Sequence, residues 1–435
     1  MVYTFKPNPQ TIDYVIYQDG TLNIARNVNS HRVIASGTNA QTVIQAALDL
    51  GGTIHIKEGT YNTVTDALRP IEQTILQGDG AKTILRCGDS VQENIIVCNS
   101  VDDVIIRNLN FDGNQAGNVF GGDTGKQCCI YTTGANRIWV MNNILHDSLS
   151  HGTLFNTNST QCRFINNYCY NGARSAVTFH DGSNFGVATH NYILDYNVTG
   201  YPGLHSHNNC YYLIFSNNTV NNANLGVQLT DSSEAVISNN TFYECNDGVE
   251  LGTTAKPVNR IYVMNNYFSV CNSYGIDAFL GTGNVIGYNR FYCNTPAARL
   301  GIRARTGFND ATIIGNSFNG WFVGLQMDAG CTSPTVMLNR FLNNTTNVTN
   351  NATTPRFWGN MGYVTEAWGA TANVADGGNI AHGLSITPTT VIAQPSISGE
   401  MVSVTAIGAA NFTVAIKTHA GAAGTQQTIY WRAYL

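Results

Sequence analysis

Apolar and polar residues alternate over short runs through most of this chain, and Gly, Asn, Ser and Thr punctuate the breaks. Examples are Arg260–Ser269 and Tyr274–Phe279, where every second residue is apolar for a few positions and then the pattern stops. This is the periodicity of short β-strands joined by turns, not the 3.6-residue period of a helix. One helical stretch stands apart. Within Ser36–Leu50 a cap-like Thr38 or Asn39 precedes apolar positions at helical spacing, which predicts a single helix near the start.

The strands repeat. Asn143, Asn167, Asn191, Asn218, Asn240, Asn266, Asn289, Asn316 and Asn339 recur every 22–27 residues, each followed two positions later by an apolar side chain, from Leu145 and Cys169 to Phe318 and Phe341. Such a period predicts a solenoid in which each coil buries its core only by stacking on its neighbours. The Leu-x-x-Leu-x-Leu frame of leucine-rich repeats is missing. The expected fold is therefore all-β: a right-handed parallel β-helix of about ten coils with two or three strands per coil. The Asn column is expected at a tight turn, where Asn tolerates left-handed backbone and its amides bond from coil to coil.

The strings Val43–Tyr61, Ile75–Arg86 and Val104–Asn114 resemble the opening of pectate-lyase-like parallel β-helix proteins, the group that includes viral tailspikes. The resemblance spans roughly residues 30–345 and implies that the helix caps the N-terminal end of the stack. It implies a fold more than a reaction, because lyases, hydrolases, epimerases and non-catalytic spikes share this scaffold. The expected division is an N-terminal cap (1–55), the β-helix (56–357) and a C-terminal β-sandwich (358–435), with 343–355 as a last irregular coil and linker. Hairpin-spaced strands are expected at Thr389–Ala393, Met401–Ile407, Phe412–Lys417 and Thr428–Leu435. The strings Ala381–Pro395, Val402–Thr418 and Ile429–Leu435 are similar to the H-type lectin-like modules at the ends of viral fibres. That similarity implies a homotrimer and contact with glycan; a module that merely caps the open end of the stack is the alternative.

Composition narrows the choices. A net charge of −5 leaves no basic footprint for nucleic acid, and no run is long and apolar enough to insert in a membrane. The segment beginning Met1-Val-Tyr lacks the layout of a secretory signal, so for an extracellular or virion-surface location either a signal has been removed or the protein leaves by another route, such as assembly into a virus particle. The eleven cysteines contain no Cys-x-x-Cys pair. Cys245, Cys271 and Cys293 recur at nearly one offset, which predicts a column of buried thiols in place of disulfides or a metal site.

The repeat also predicts a surface. After each ladder Asn comes a small residue and then Gly-apolar-x-apolar, with x facing out: Thr178, His205, Gln228, Glu250, Asp277, Arg303 and Gln326. Two residues on, the same face carries His180, His207, Thr230, Phe279, Arg305 and Asp328. Only 11% of the chain is charged, so this concentration of titratable groups marks a candidate site. Two longer connections, Tyr192–Pro202 with Tyr196 and Tyr201, and Arg290–Leu300, would raise the ends of a groove whose rim tyrosines suit sugar rings.

Three chemistries compete for that face. Glu250 and Asp277, about 5 Å apart on adjacent coils, would be the pair of a retaining glycosidase. Alternatively, Arg303 or Arg305 would neutralise a uronate while His205 or His207 removes a proton in β-elimination. Thirdly, His205-Ser206-His207 would be a metal pair. Gln228, Arg305, Gln326, His180 and Tyr201 are the expected substrate contacts. No metal or other cofactor is required, although a divalent cation such as calcium stays open. The expected function is polysaccharide binding with cleavage; a non-catalytic glycan-binding adhesin or structural fibre is the alternative.

Overall fold

A computed structural model describes residues 11–63, 65–122, 125–294 and 298–434. The chain winds into a parallel β-helix of about twelve turns, and each full turn contributes a short strand to each of three sheets. Twelve strands form the second sheet, from Gly59–Thr63 to Arg340–Leu342. The count exceeds ten because Gly59–Thr63, Thr83–Cys87 and Asn110–Asp112 precede the first ladder asparagine and carry no such mark. The first sheet is lengthened by Tyr14–Asp19, Leu22–Asn27 and Val33–Gly37, an antiparallel meander that pairs onto Thr53–Ile56. Its alternation is too short to distinguish from the coils by sequence.

The ladder asparagines are buried, and their amides do connect the coils. Asn266 Nδ2 donates to Ile237 O at 2.9 Å and to Asn289 Oδ1 at 3.0 Å, while its Oδ1 accepts from Asn240 N at 2.9 Å and Asn240 Nδ2 at 3.0 Å. The same pattern continues to a further rung at Asn360. The left-handed backbone, however, belongs to the residue before each rung: Asn166, Asn217, Asn239 and Asn265 have φ of 52°, 56°, 57° and 58°, and Tyr288 and Leu338 also occupy this position. The ladder Asn is selected for its amide, not for its tolerance of positive φ.

Two positions after the rungs from Asn240 to Asn339, Phe242, Phe268, Phe291, Phe318 and Phe341 form a continuous stack with centroids 4.6–5.0 Å apart. The glycine of the third-sheet strands faces this stack. A Cβ on Gly248 would lie 2.4 Å from the Phe268 ring and 2.7 Å from Gly275 O, so only glycine lets the strand close on the phenylalanines. All eleven cysteines are buried and unpaired by disulfides. Cys245, Cys271 and Cys293 line the core as the spacing predicts.

The predicted helix is Ala40–Leu48, capped by Asn39 Oδ1, which accepts from Thr42 N at 3.2 Å. Val43, Ile44, Ala47 and Leu48 extend the core of the coils across its N-terminal end. At the other end, 343–355 is not a linker. Thr346–Asn350 pairs with Val323–Met327, and Arg356–Trp358 completes the first sheet. Beyond it, Glu366–Val374, Gln427–Tyr434 and Thr390–Pro395 form one antiparallel sheet, and Asn379–Ala381, Asn411–Thr418 and Glu400–Ile407 a second. They pack through Val374, Ile429, Ile380, Phe412, Val414 and Ile416. Among the described residues no helix is long and apolar enough to cross a membrane.

Candidate functional site

The third sheet stacks the predicted column in register. Thr178 pairs with His205, then Gln228, Glu250, Asp277, Arg303 and Gln326 follow on successive strands. The column is not uniformly open, though. Thr178 and Asp277 are each 1% exposed, covered by the side chains around them. Along the column the face divides into an acidic zone and a histidine zone.

In the acidic zone Glu250 and Asp277 are neighbours, as expected, but they do not form a free carboxylate pair. Arg305 clamps Asp277 in a bidentate bridge, Nε to Oδ1 at 2.7 Å and Nη2 to Oδ2 at 2.6 Å, and its guanidinium stacks on Phe279. A nucleophile closed off in this way cannot approach a sugar, so the retaining-pair expectation fails on access, not on spacing. Arg303 is committed as well, to Asp328 with Nε at 3.0 Å and to Tyr274 Oη at 3.2 Å. Gln326 donates to the other oxygen of Asp328 at 2.7 Å.

Glu250 remains partly exposed and accepts from Gln228 Nε2 at 2.6 Å. Burial and the nearby Asp277 charge raise its pKa, outweighing the Gln228 hydrogen bond and the Arg305 charge. A third carboxyl, Asp247, completes the cluster and was not anticipated. Burial, then Asp277 and Glu250, push it up to about 7. It lies three residues before Glu250, at a register position that Leu225, Tyr274, Leu300 and Val323 fill on other coils. A lone Asp in that largely apolar column was the available signal.

The histidine zone lies on the preceding coils. His207 has no free nitrogen. Lys256 Nζ donates to its Nε2 at 3.2 Å, which places the proton on Nδ1 for donation to Thr230 Oγ1 at 2.8 Å; Thr230 in turn donates to Ser206 O at 3.1 Å. Burial first, then the Lys256 charge, push His207 down to about 4. With Lys256 on one ring nitrogen and Thr230 on the other, His207 is not a free base in this arrangement. His180 stacks on His207 with centroids 5.0 Å apart, and its Nδ1 lies 3.1 Å from Asn156 Oδ1 and 3.0 Å from Asp181 Oδ2. His205 carries its ring into a cavity shared with Tyr131, His151, Asn156, Arg174 and Tyr201. Burial and the surrounding histidines hold its pKa well below the usual imidazole value.

Four strand steps separate His205 from Arg303, or ~19 Å at ~4.8 Å per step. One uronate cannot meet both, so the predicted division of labour in β-elimination is broken by distance. Of the rim tyrosines, Tyr201 faces Arg174, whose guanidinium carbon lies 4.8 Å from its ring centroid. Tyr196 instead turns inward and is 1% exposed. The second raised connection, Arg290–Leu300, includes residues 295–297, which lie outside the described residues, as do the Met1-Val-Tyr segment and Leu435. Elsewhere among the described residues, Asp112, His146 and Asp147 bring ligand-type atoms within 4.8 Å of one another. Those groups already bond to Arg86, to each other and to Asn171.

Comparisons agree with this geometry at the level of fold. A family profile described as periplasmic copper-binding protein (NosD) matches residues 181–380. No curated protein sequence matches the chain. Among solved structures, the tailspike of E. coli bacteriophage HK620, an E372A mutant in complex with a pentasaccharide, is similar with a TM-score of 0.60 at 15% identity, covering 93% of this chain and 91% of that one. The Pseudomonas phage phi297 tailspike gp61 gives 0.56 at 12% identity, covering 91% and 92%. PfbA, a surface adhesin of Streptococcus pneumoniae, gives 0.57 at 14% identity, covering 70% and 87%. The fold is that of the tailspike and adhesin β-helices.

Proposed function

We propose that this protein binds a polysaccharide along the outward face of its third sheet and cleaves it by hydrolysis, with Glu250 as the proton donor to the leaving oxygen. The observation that carries this is the contrast within one cluster. Glu250 is reachable from the face and held towards its protonated form, while Asp277 beside it is sealed in its bridge to Arg305. A reachable carboxyl group that burial holds towards its protonated form is set up to act as a general acid. Gln228 orients Glu250, and Arg303, Gln326 and Tyr274 line the continuing face. The tailspike similarity, including one seen with a pentasaccharide, supports a glycan as ligand and an extracellular or virion-surface setting.

The test is the release of reducing ends from a panel of bacterial surface polysaccharides by the wild type and by Glu250→Gln. The variant is expected to lose roughly 10²–10⁴-fold in rate, the range of a general acid. Cleavage at the wild-type rate by Glu250→Gln overturns the assignment, and 4,5-unsaturated products would reassign the reaction to elimination. The closure of Asp277 and the PfbA similarity favour a second reading, a non-catalytic adhesin that uses the same face. Binding with no cutting of any glycan selects it.

A homotrimer assembled through the C-terminal sandwich belongs to the same proposal. Trp368, Ile392 and Tyr430 stand exposed on one face of its first sheet, at 75%, 49% and 53%. Light scattering should give three times the chain mass, and a monomer would refute it.

A further inference from the structure

The cavity beside His205 is not used by the chemistry assigned to Glu250, and its chemistry is of another kind. We propose that it is a saccharide-anchoring subsite, in which one pyranose unit of the glycan places its hydroxyl groups on the His205 imidazole. The proposal rests on the polysaccharide reading above and specifies where the chain is held.

The first observation is an unmet demand. Both ring nitrogens of His205 are buried, and neither has a hydrogen-bond partner among the described residues. Its neighbours are provided for: His207 by Lys256 and Thr230, His180 by Asn156 and Asp181, and His151 Nδ1 by Thr178 Oγ1 at 3.0 Å. A neutral imidazole presents one N–H donor and one bare acceptor, and leaving either buried and unpaired is unfavourable. A group that donates and accepts at once meets both needs. Hydroxyl groups do so, and a pyranose carries several on a rigid ring.

Shape and surroundings agree. The cavity holds about 460 Å³, within the range of small-ligand sites. Tyr131 and Tyr201 border it and supply aromatic faces for the C–H side of a sugar ring. A metal ion fits less well, because Lys256 sets an ammonium on Nε2 of the adjacent His207. Among the described residues, three ligand-type groups come within mutual reach at Asp112, His146 and Asp147, away from this cavity.

Position gives the cavity a role. The strand of Gln228 lies between His205 and Glu250, so the two are two strand steps apart, ~10 Å. A chain anchored at His205 passes over Gln228 and meets Glu250 a few pyranose rings away. The anchor thus selects which bond reaches the acid.

The experiment uses the full chain with methyl glycosides of neutral hexoses, N-acetylhexosamines and uronic acids as probes. It reads saturation-transfer NMR on the glycosides and imidazole ring shifts on the protein. At least one glycoside should shift the His205 ring signals and leave His382 and His419 in place. His205→Ala should weaken that binding by roughly tenfold or more, the equivalent of one to two hydrogen bonds. His205→Gln, whose amide also donates and accepts, should recover part of it, which separates loss of contact from loss of fold. If the polysaccharide is never cut but the glycosides still bind at His205, the cleavage assignment fails and the anchor stands. The anchor is overturned if no glycoside moves His205, if binding is unchanged in His205→Ala, or if Zn²⁺ alone saturably shifts His151, His180 and His205 together.

Discussion

Replacing Asn266 by alanine is the sharpest test of how the coils are held. The residue is 1% exposed, in the middle of the ladder. Its removal strands the Asn240 backbone N–H, which donates to Asn266 Oδ1 at 2.9 Å, whereas the Ile237 carbonyl loses the bond from Asn266 Nδ2 at 2.9 Å but stays within the strand ladder that pairs Val236–Ser238 with Tyr262–Met264. Asn240 Nδ2 and Asn289 Oδ1 each lose one partner but keep another, Phe215 O and the Asn266 backbone N–H. One buried group is therefore orphaned, and the expected cost is about 1–3 kcal/mol. The control is the adjacent Asn265, whose φ of 58° lies in the left-handed region. Asn265→Gly should be neutral within about 0.5 kcal/mol or stabilising, because glycine takes that conformation freely. Both are measured by guanidinium unfolding followed by circular dichroism and tryptophan fluorescence. A cost below about 1 kcal/mol for Asn266→Ala, or equal effects of the two variants, would refute the hydrogen-bond argument.

Three further outcomes follow from the same geometry. Asp247 binds its proton more tightly in the folded protein, up to about 7 against 3.8, so its contribution to stability is complete below pH 4 and is lost as the pH rises towards 7. The loss is bounded at about 4 kcal/mol, and Asp247→Asn should flatten that slope in urea titrations across the window; an unchanged slope would discount the cluster. Arg305→Met leaves the Asp277 carboxylate buried without its clamp, an expected loss of about 3–5 kcal/mol, and Arg305→Met with Asp277→Leu should recover most of it in thermal melts. The eleven thiols should react with a thiol reagent only after denaturation, since all are buried and burial pushes Cys87, Cys210 and Cys331 up to about 11 and Cys162 and Cys245 to about 12; rapid labelling of the native protein would contradict that packing.

What could be read in advance was whatever repeats. The period of Asn143 to Asn339, the Phe242 to Phe341 column and the Gly-apolar-x-apolar strands together determined the solenoid, the core and the register of Thr178, His205, Gln228, Glu250, Asp277, Arg303 and Gln326. This follows because parallel stacking turns a sequence interval into a fixed spatial step. What did not repeat stayed hidden. The early coils lack the ladder residue, so they went uncounted, and Asn265 and Asn266 look alike in sequence although one holds the turn and the other the amide chain. Site chemistry was hidden for the same reason. Whether Asp277 is an available carboxylate depends on where the Arg305 guanidinium ends, and whether His207 is a base depends on Lys256, 49 residues away. A strand pattern gives the direction in which a side chain leaves the sheet, whereas its partners, burial and protonation come from side chains that only tertiary packing brings alongside.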